Sequence, residues 1–132
     1  MATGPRIFFR AARNYLRLLH QAPLYRGTGL VFRGNCLNFP LPQGAKEARD
    51  LEILEGVIEH LLDAKPDILA VSAGFDTYKE CSIAGLELEK KSYRRIGTLI
   101  GQTGLRRFAV LEGGYAADSP ILIENFLDGF LV

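Results

Sequence analysis

Cysteine is nearly absent from this sequence of 132 residues: Cys36 and Cys81 stand far apart and form no Cys-x-x-Cys pair. That spacing suggests neither a disulfide framework nor a structural zinc knuckle, and it points to a reducing compartment. Long apolar runs are missing as well. No stretch approaches the roughly 20 residues needed to span a bilayer, and Met1 is followed by Ala-Thr-Gly-Pro rather than by a basic and then an apolar export segment. The chain is therefore expected to be soluble and cytoplasmic. Charge of one sign is in short supply too: a formal net charge of +1 offers no global field to gather nucleic acid or an anionic membrane. Around Gly113-Gly114 there is neither a Walker nor a Rossmann glycine pattern, which argues against a nucleotide binder. No internal repeat or low-complexity tract is visible.

What is present is an ordinary globular composition, 48% hydrophobic and 23% charged, in a chain long enough for one core. A single domain over residues 1–132 is expected, with residues 1–20 as a variable first segment. Between Ala45 and Lys65, the residues Leu51, Leu54, Val57, Ile58, Leu61 and Leu62 recur at helical spacing and Pro66 ends the run, predicting an amphipathic helix. Residues 67–73 then form a short aliphatic run closed by Gly74, the pattern of a strand buried on both faces. The step repeats. Tyr93, Ile96, Leu99 and Ile100 share a helical face, Gly104 caps its end, and Arg107-Phe-Ala-Val-Leu reads as a second buried strand. A last helix is predicted over Ser119–Leu131, with Asp118 or Ser119 as N-cap and Pro120 at its start. This alternation predicts an α/β fold with a parallel sheet covered on both faces.

Upstream, Asn38-Phe-Pro-Leu-Pro reads as a short extended segment and Tyr25-Arg-Gly-Thr-Gly as a glycine-shaped loop. In the first twenty residues, Arg6, Arg10, Arg13 and Arg17 fall on one helical stripe and Phe8, Ala12, Tyr15 and Leu19 on the opposite one. Periodicity alone therefore favours a basic amphipathic helix there, more simply a solvated face over a buried one than a partner-binding surface.

In parallel sheets, ligands collect beyond the carboxyl ends of the strands, where loops converge. Two loops qualify: Ser72-Ala-Gly-Phe-Asp76-Thr-Tyr and Glu112-Gly-Gly-Tyr115. Asp76 is a hard oxygen ligand for a divalent metal, and Tyr115 can donate a hydrogen bond to an oxyanion. From spacing alone, the commoner role of an aspartate after a strand is a helix cap or loop brace, and a Gly-Gly-Tyr loop is no more specific.

The combination says more than either loop. Val71-Ser-Ala-Gly-Phe-Asp76, Tyr93-Arg-Arg-Ile-Gly97 and Leu111-Glu-Gly-Gly-Tyr115 occur in one order, preceded by Leu19-His20-Gln, Tyr25-Arg-Gly-Thr-Gly29 and Asn38-Phe-Pro-Leu-Pro-Gln-Gly44. Over nearly its whole length the chain thereby resembles the C-terminal half of the histone deacetylase and acetylpolyamine amidohydrolase superfamily. Asp76-Thr-Tyr and Ala116-Ala117 lean toward the acetylpolyamine side. The resemblance implies a three-layer α/β/α fold with a parallel sheet, the C-terminal half of the arginase/deacetylase fold. It makes Asp76 a ligand of a catalytic zinc and Tyr115 the residue that polarises the acetyl carbonyl. Tyr25 and Ile83 match walls of the acyl-lysine or acylpolyamine channel, with Gly113 and Gly114 also on the substrate side. The family reaction yields acetate and a free amine.

The departures matter as much. The family draws two further zinc ligands from an Asp-x-His motif and its general base from a pair of adjacent histidines; this sequence contains neither. His20 matches a histidine outside the catalytic pair, and His60 falls within a surface-facing helix. Cys81 stands where the family has an aspartate, followed by Ser82 for a proline, and reads more simply as a small packed or loop thiol. Arg26 replaces a proline near the channel, and Leu18 a serine that surrounds a structural monovalent cation. The resemblance also revises the first segment to a helical turn near residues 6–12 and a strand near 14–19.

One carboxylate does not hold a catalytic zinc, so the chain alone is expected to be inactive. Half a parallel sheet would also leave one strand edge open. Its cover is expected from a separately encoded N-terminal half, a second copy of the chain, or the arginine-striped first segment. The rival reading is a non-catalytic remnant or interaction module that oligomerises through that edge.

Overall fold

The computed structural model describes residues 6–11, 15–21, 36–81 and 85–132. In chain order these form β1 (Arg6–Ala11), β2 (Tyr15–Gln21), β3 (Cys36–Leu41), α1 (Glu47–Asp63), β4 (Leu69–Ala73), α2 (Lys90–Gly101), β5 (Arg107–Leu111) and α3 (Ser119–Phe130). The predicted α/β class holds, and α1, β4, α2, β5 and α3 fall where apolar periodicity put them. Pro120 lies in the first turn of α3, where its missing N–H costs no helical bond.

The five strands make one sheet in the order β3-β2-β1-β4-β5. Strands β2 and β3 are parallel, as are β4 and β5, whereas β1 runs antiparallel to both β2 and β4. The expected parallel sheet is present, with β1 as its one antiparallel strand among those described. Strands β1 and β2 are only three residues apart in sequence, far fewer than the dozen or so that a parallel crossover needs, which fits their antiparallel pairing. The strand expected near 14–19 is β2, but the helical expectation for residues 6–12 is wrong, because that segment is β1. Its register runs from Ile7 opposite Ala73 to Ala11 opposite Leu69. Pairing satisfies backbone groups along the edge of β4 that a helix would leave bare. The first segment is therefore what lies against β4.

Leu69, Val71 and Ala73 of β4 are buried against Leu54, Val57 and Leu61 of α1, Tyr93, Ile96 and Ile100 of α2, and Leu122, Phe126 and Phe130 of α3, all in one apolar cluster. Ala70 and Ser72, between them, are only half-buried, so β4 is not fully buried on both faces. Strand β5 departs further. Phe108, Val110 and Leu111 are 48%, 50% and 58% exposed, because β5 is an edge strand and no described element lies over that side of it.

Helices α2 and α3 touch backbone to backbone. A Cβ on Gly97 would overlap the Phe126 carbonyl oxygen, and one on Gly129 would overlap the Arg94 carbonyl. Gly97, part of the Tyr93-Arg-Arg-Ile-Gly motif, is thus a packing residue. Gly97→Ala is expected to destabilise the protein by about 1–3 kcal/mol, the usual range for overpacking, read as a lower urea midpoint at unchanged m.

One buried group was invisible to pattern reading. Asp50, in the first turn of α1, is 4% exposed, and its Oδ2 has no hydrogen-bond partner. Burial, and then the neighbouring Glu47 charge, push its carboxyl up to about 7. Glu47 is held by Arg95 of α2 at 2.9 Å. A carboxyl raised above its unfolded value of about 4 binds its proton more tightly when folded, so it favours folding at low pH. That contribution is expected to fade between about pH 4 and pH 7, by an amount on the order of 4 kcal/mol. Asp50→Asn should flatten the slope, seen by comparing denaturation midpoints of the two proteins across that range.

Candidate functional site

The two chemically useful loops leave the carboxyl ends of neighbouring parallel strands. Ala73 of β4 lies opposite Leu111 of β5, so the segments after them emerge side by side. Backbone bonds then zip them together: Glu112 N–H donates to the Ala73 carbonyl at 2.9 Å, and Phe75 N–H to the Gly113 carbonyl at 2.7 Å. Asp76 follows, 4% exposed, with its carboxylate pressed against the backbone of the second loop. A Cβ on Gly113 would stand 2.6 Å from Asp76 Oδ2, so any side chain there would displace the carboxylate. Gly114 has φ +149 and would set a Cβ 2.9 Å from Phe75 Cβ. Both glycines of the Gly-Gly-Tyr sequence are therefore explained by one close approach. Tyr115, next along, is 70% exposed.

Behind the loops lies a brace. The Tyr93 hydroxyl of α2 sits 2.8 Å from Thr77 Oγ1 and donates to the Phe75 carbonyl at 3.4 Å, so both residues flanking Asp76 are tied to a buried phenol. Burial pushes that phenol's pKa well above its ordinary value, with the Asp50 and Asp76 charges adding to the effect against the opposing Thr77 bond. The Phe75 ring packs on Tyr93 at 5.3 Å and edge-on to Phe126 at 5.9 Å. Further along, Tyr78 O–H donates to Asp118 Oδ2 at 3.0 Å, and Lys90 bridges Asp118 at 2.8 Å. The Lys90 ammonium, then the Tyr78 hydroxyl, hold the Asp118 carboxyl below the usual range. Asp118 is the N-cap of α3 by position, but its side chain makes no cap bond and anchors the loop after β4 instead. Sequence reading missed this Tyr78–Asp118–Lys90 contact, which joins residues 28 and 40 positions apart and leaves no local periodic signal.

Of the residues singled out from the sequence, the fold brings Asp76, Gly113 and Gly114 together, and Tyr115 stands on the same loop. Tyr25, Ile83, Arg26 and Ser82 lie outside the described residues. Cys81 is a free, buried thiol, in keeping with a packed role. His60 is on α1, with Nδ1 2.8 Å from the Gly56 carbonyl, away from both loops. Among the described residues no three His, Cys, Asp or Glu side chains converge as a metal-binding group. Asp76 as described therefore does not by itself fit a catalytic zinc, which takes three protein ligands and keeps an open position.

Comparison with known proteins agrees with this geometry. The family model described as Histone deacetylase domain matches residues 19–122. The chain is 38% identical to Acetylpolyamine amidohydrolase 2 of Pseudomonas aeruginosa over 105 residues, covering 79% of this chain and 29% of that protein. It is 30% identical to a probable deacetylase of Archaeoglobus fulgidus over 132 residues, covering 90% of this chain and 37% of the relative. The crystal structure of acetylpolyamine aminohydrolase from Burkholderia pseudomallei superposes with a TM-score of 0.81 at 27% identity, over 86% of this chain and 36% of that one. The chain thus spans about a third of the length of the relatives it matches. With a family match over most of its length and the deacetylase fold beneath it, this chain belongs to the histone deacetylase family.

Proposed function

We propose that this chain forms one side of the active site of a zinc-dependent amidohydrolase that releases acetate from acetyl-lysine or an acetylpolyamine, and that it turns over substrate only when another region of a deacetylase domain completes the site. The observation that carries this reading is the locked pair of loops: a buried carboxylate at Asp76 fixed against Gly113, and beside it a solvent-facing phenol at Tyr115. Fixed placement of a donor is what acyl-transfer chemistry requires, because a preorganised hydrogen bond to the forming oxyanion costs no reorganisation during the reaction. In this assignment Tyr115 O–H donates to the acetyl carbonyl oxygen, Tyr25, Ile83, Gly113 and Gly114 line the acyl channel, and Asp76 is the single carboxylate offered to the metal.

The requirement for completion rests on ligand chemistry. The sequence has two histidines, no adjacent histidine pair and no Asp-x-His, so it holds neither the paired histidine base nor a full zinc cage of the family's type. The missing groups are assigned to the region of a deacetylase domain that this sequence does not match. Names among the relatives support the amide-hydrolysing class, and those of the Pseudomonas and Burkholderia proteins favour acetylpolyamines.

A second reading, a non-catalytic module that self-associates through its sheet edge, is favoured by one observation: Phe108, Val110 and Leu111 are exposed on the edge strand β5. Contiguous apolar side chains on a free edge invite pairing with another chain.

Zinc content and hydrolysis of acetylputrescine and an acetyl-lysine peptide, measured on the chain alone and with the unmatched region of the Pseudomonas relative added as a separate polypeptide, test the first reading. The expected result is substoichiometric zinc and no turnover alone, with both restored in the mixture. In the mixture, Tyr115→Phe should cost about 10²–10³ in kcat, as removal of an oxyanion donor usually does. Stoichiometric zinc and turnover by the chain alone would overturn the proposal. For the second reading, sedimentation of Val110→Lys should show a monomer where the parent chain is a dimer or larger; equal masses for the two would exclude association through β5.

A further inference from the structure

The two loops that carry the candidate chemistry are tied together at two places. The first tie is the backbone bond from Phe75 N–H to the Gly113 carbonyl at 2.7 Å. The second is made by side chains: Tyr78 O–H donates to Asp118 Oδ2 at 3.0 Å, and Lys90 Nζ reaches the same oxygen at 2.8 Å. Asp76 lies between the two ties on one loop, and Tyr115 lies between them on the other. Segments 75–78 and 113–118 therefore close into a ring that holds both residues.

Asp118 is not used as its position would suggest. At the N-cap of a helix a carboxylate normally accepts from the first free backbone N–H groups, yet Asp118 makes no such side-chain bond. Its carbonyl accepts from Ile121 and Leu122 at 2.9 and 3.1 Å, and its carboxylate turns sideways to Tyr78, which is 1% exposed, and to Lys90, the first residue of α2. Both donors belong to a fixed frame. Tyr78 bridges to Leu88, Lys79 N–H donates to the Leu88 carbonyl at 3.0 Å, and the start of α2 is closed by the capping box of Glu89 and Ser92. A hydrogen bond from a buried phenol to a charged acceptor is a strong one, whereas an exposed ion pair alone contributes little.

From Asp118 the constraint reaches Tyr115 within three residues. Ser119 N–H donates to the Ala116 carbonyl at 3.0 Å, which closes a turn, and Ala116 packs against the apolar core. Tyr115 thus stands between a pinned Gly113 and a pinned Ala116. Its own ring is 70% exposed, so the loop, rather than packing of the ring, sets where the phenol stands.

We infer that Asp118 is a positioning residue for Tyr115: its carboxylate, held on one oxygen by Tyr78 and Lys90, sets the stance of the Gly-Gly-Tyr loop against the loop that carries Asp76. The inference rests on the reading of Tyr115 as the donor to the acetyl carbonyl, and it adds the side chains that aim that donor. A capping role for Asp118 would require bonds to the start of α3 that its carboxylate does not make. A simple surface ion pair would involve Lys90 alone and leave the reach of the buried phenol unexplained.

Three variants test it. Tyr78→Phe removes one hydroxyl and keeps the buried ring, Asp118→Asn removes the charge that holds Lys90, and Lys90→Arg keeps the cation. On the chain alone, amide hydrogen exchange at residues 114–117 is expected to be at least about ten-fold faster in Tyr78→Phe than in the parent, the loss of one hydrogen bond to a charged group. Residues 93–101 of α2 should be unchanged, and Lys90→Arg should stay close to the parent. In the mixture that completes the site, Tyr78→Phe and Asp118→Asn are expected to lower kcat about ten- to a hundred-fold with KM within about two-fold, because a misaimed donor weakens the transition state and not the bound substrate. A purely structural tie would lower the urea midpoint without separating kcat from KM. Unchanged exchange at residues 114–117, or unchanged kcat in an active mixture, overturns the inference and leaves the split-site reading standing. An inactive parent mixture sinks the split-site reading, and exchange at residues 114–117 then decides alone whether Asp118 sets the loop. Should Asp118→Asn fail to fold, Lys90→Met, at a side chain 44% exposed, takes its place with the same expected direction.

Discussion

The 2.7 Å bond from Phe75 N–H to the Gly113 carbonyl is the contact on which the rest of the candidate site depends. Parallel strands β4 and β5 deliver two loops to the same end of the sheet, but adjacency alone would leave them free to separate. This bond, with the contact of Asp76 against Gly113, converts two loops into one rigid edge. Tyr93 and Asp118 then anchor the first of these loops, Tyr93 through Thr77 and the Phe75 carbonyl, and Asp118 through Tyr78. Pre-positioning of this kind is where enzymes gain most of their electrostatic advantage.

The sheet is less regular than the helical layer. The core formed by β4 and the three helices is closed on one side, while β5 leaves Phe108, Val110 and Leu111 to solvent and β1 runs antiparallel in the middle of the sheet. Both irregularities lie on the sheet, and neither is on the helical side. Helices bury their apolar stripes locally, whereas strands depend on neighbours that come from elsewhere in the chain.

That difference also explains what could be read from the residues. Helices α1, α2 and α3 announce themselves through apolar spacing, Pro66 and Pro120, and the two loops through their glycines, so the α/β class and the positions of Asp76 and Tyr115 were legible. The direction of β1 was not, because arginines four apart at Arg6 and Arg10 fit a helical stripe and a strand's alternation equally well; what decides is the unpaired edge of β4, some sixty residues away. The exposure of Phe108 and Val110 was equally hidden, as an aliphatic run looks the same whether or not something covers it. Asp50 carried no motif at all; its unusual acidity comes from tertiary burial and the nearby Glu47. The family resemblance reached Asp76 and the Gly-Gly-Tyr loop, but the Tyr78–Asp118–Lys90 anchor needed coordinates.

The glycine contact between α2 and α3 bears on any attempt to redesign this scaffold. With no side chain separating them at Gly97 and Gly129, the two helices pack at a distance that any larger residue there would disturb. Libraries that spare this helical seam should therefore keep far more of their members folded.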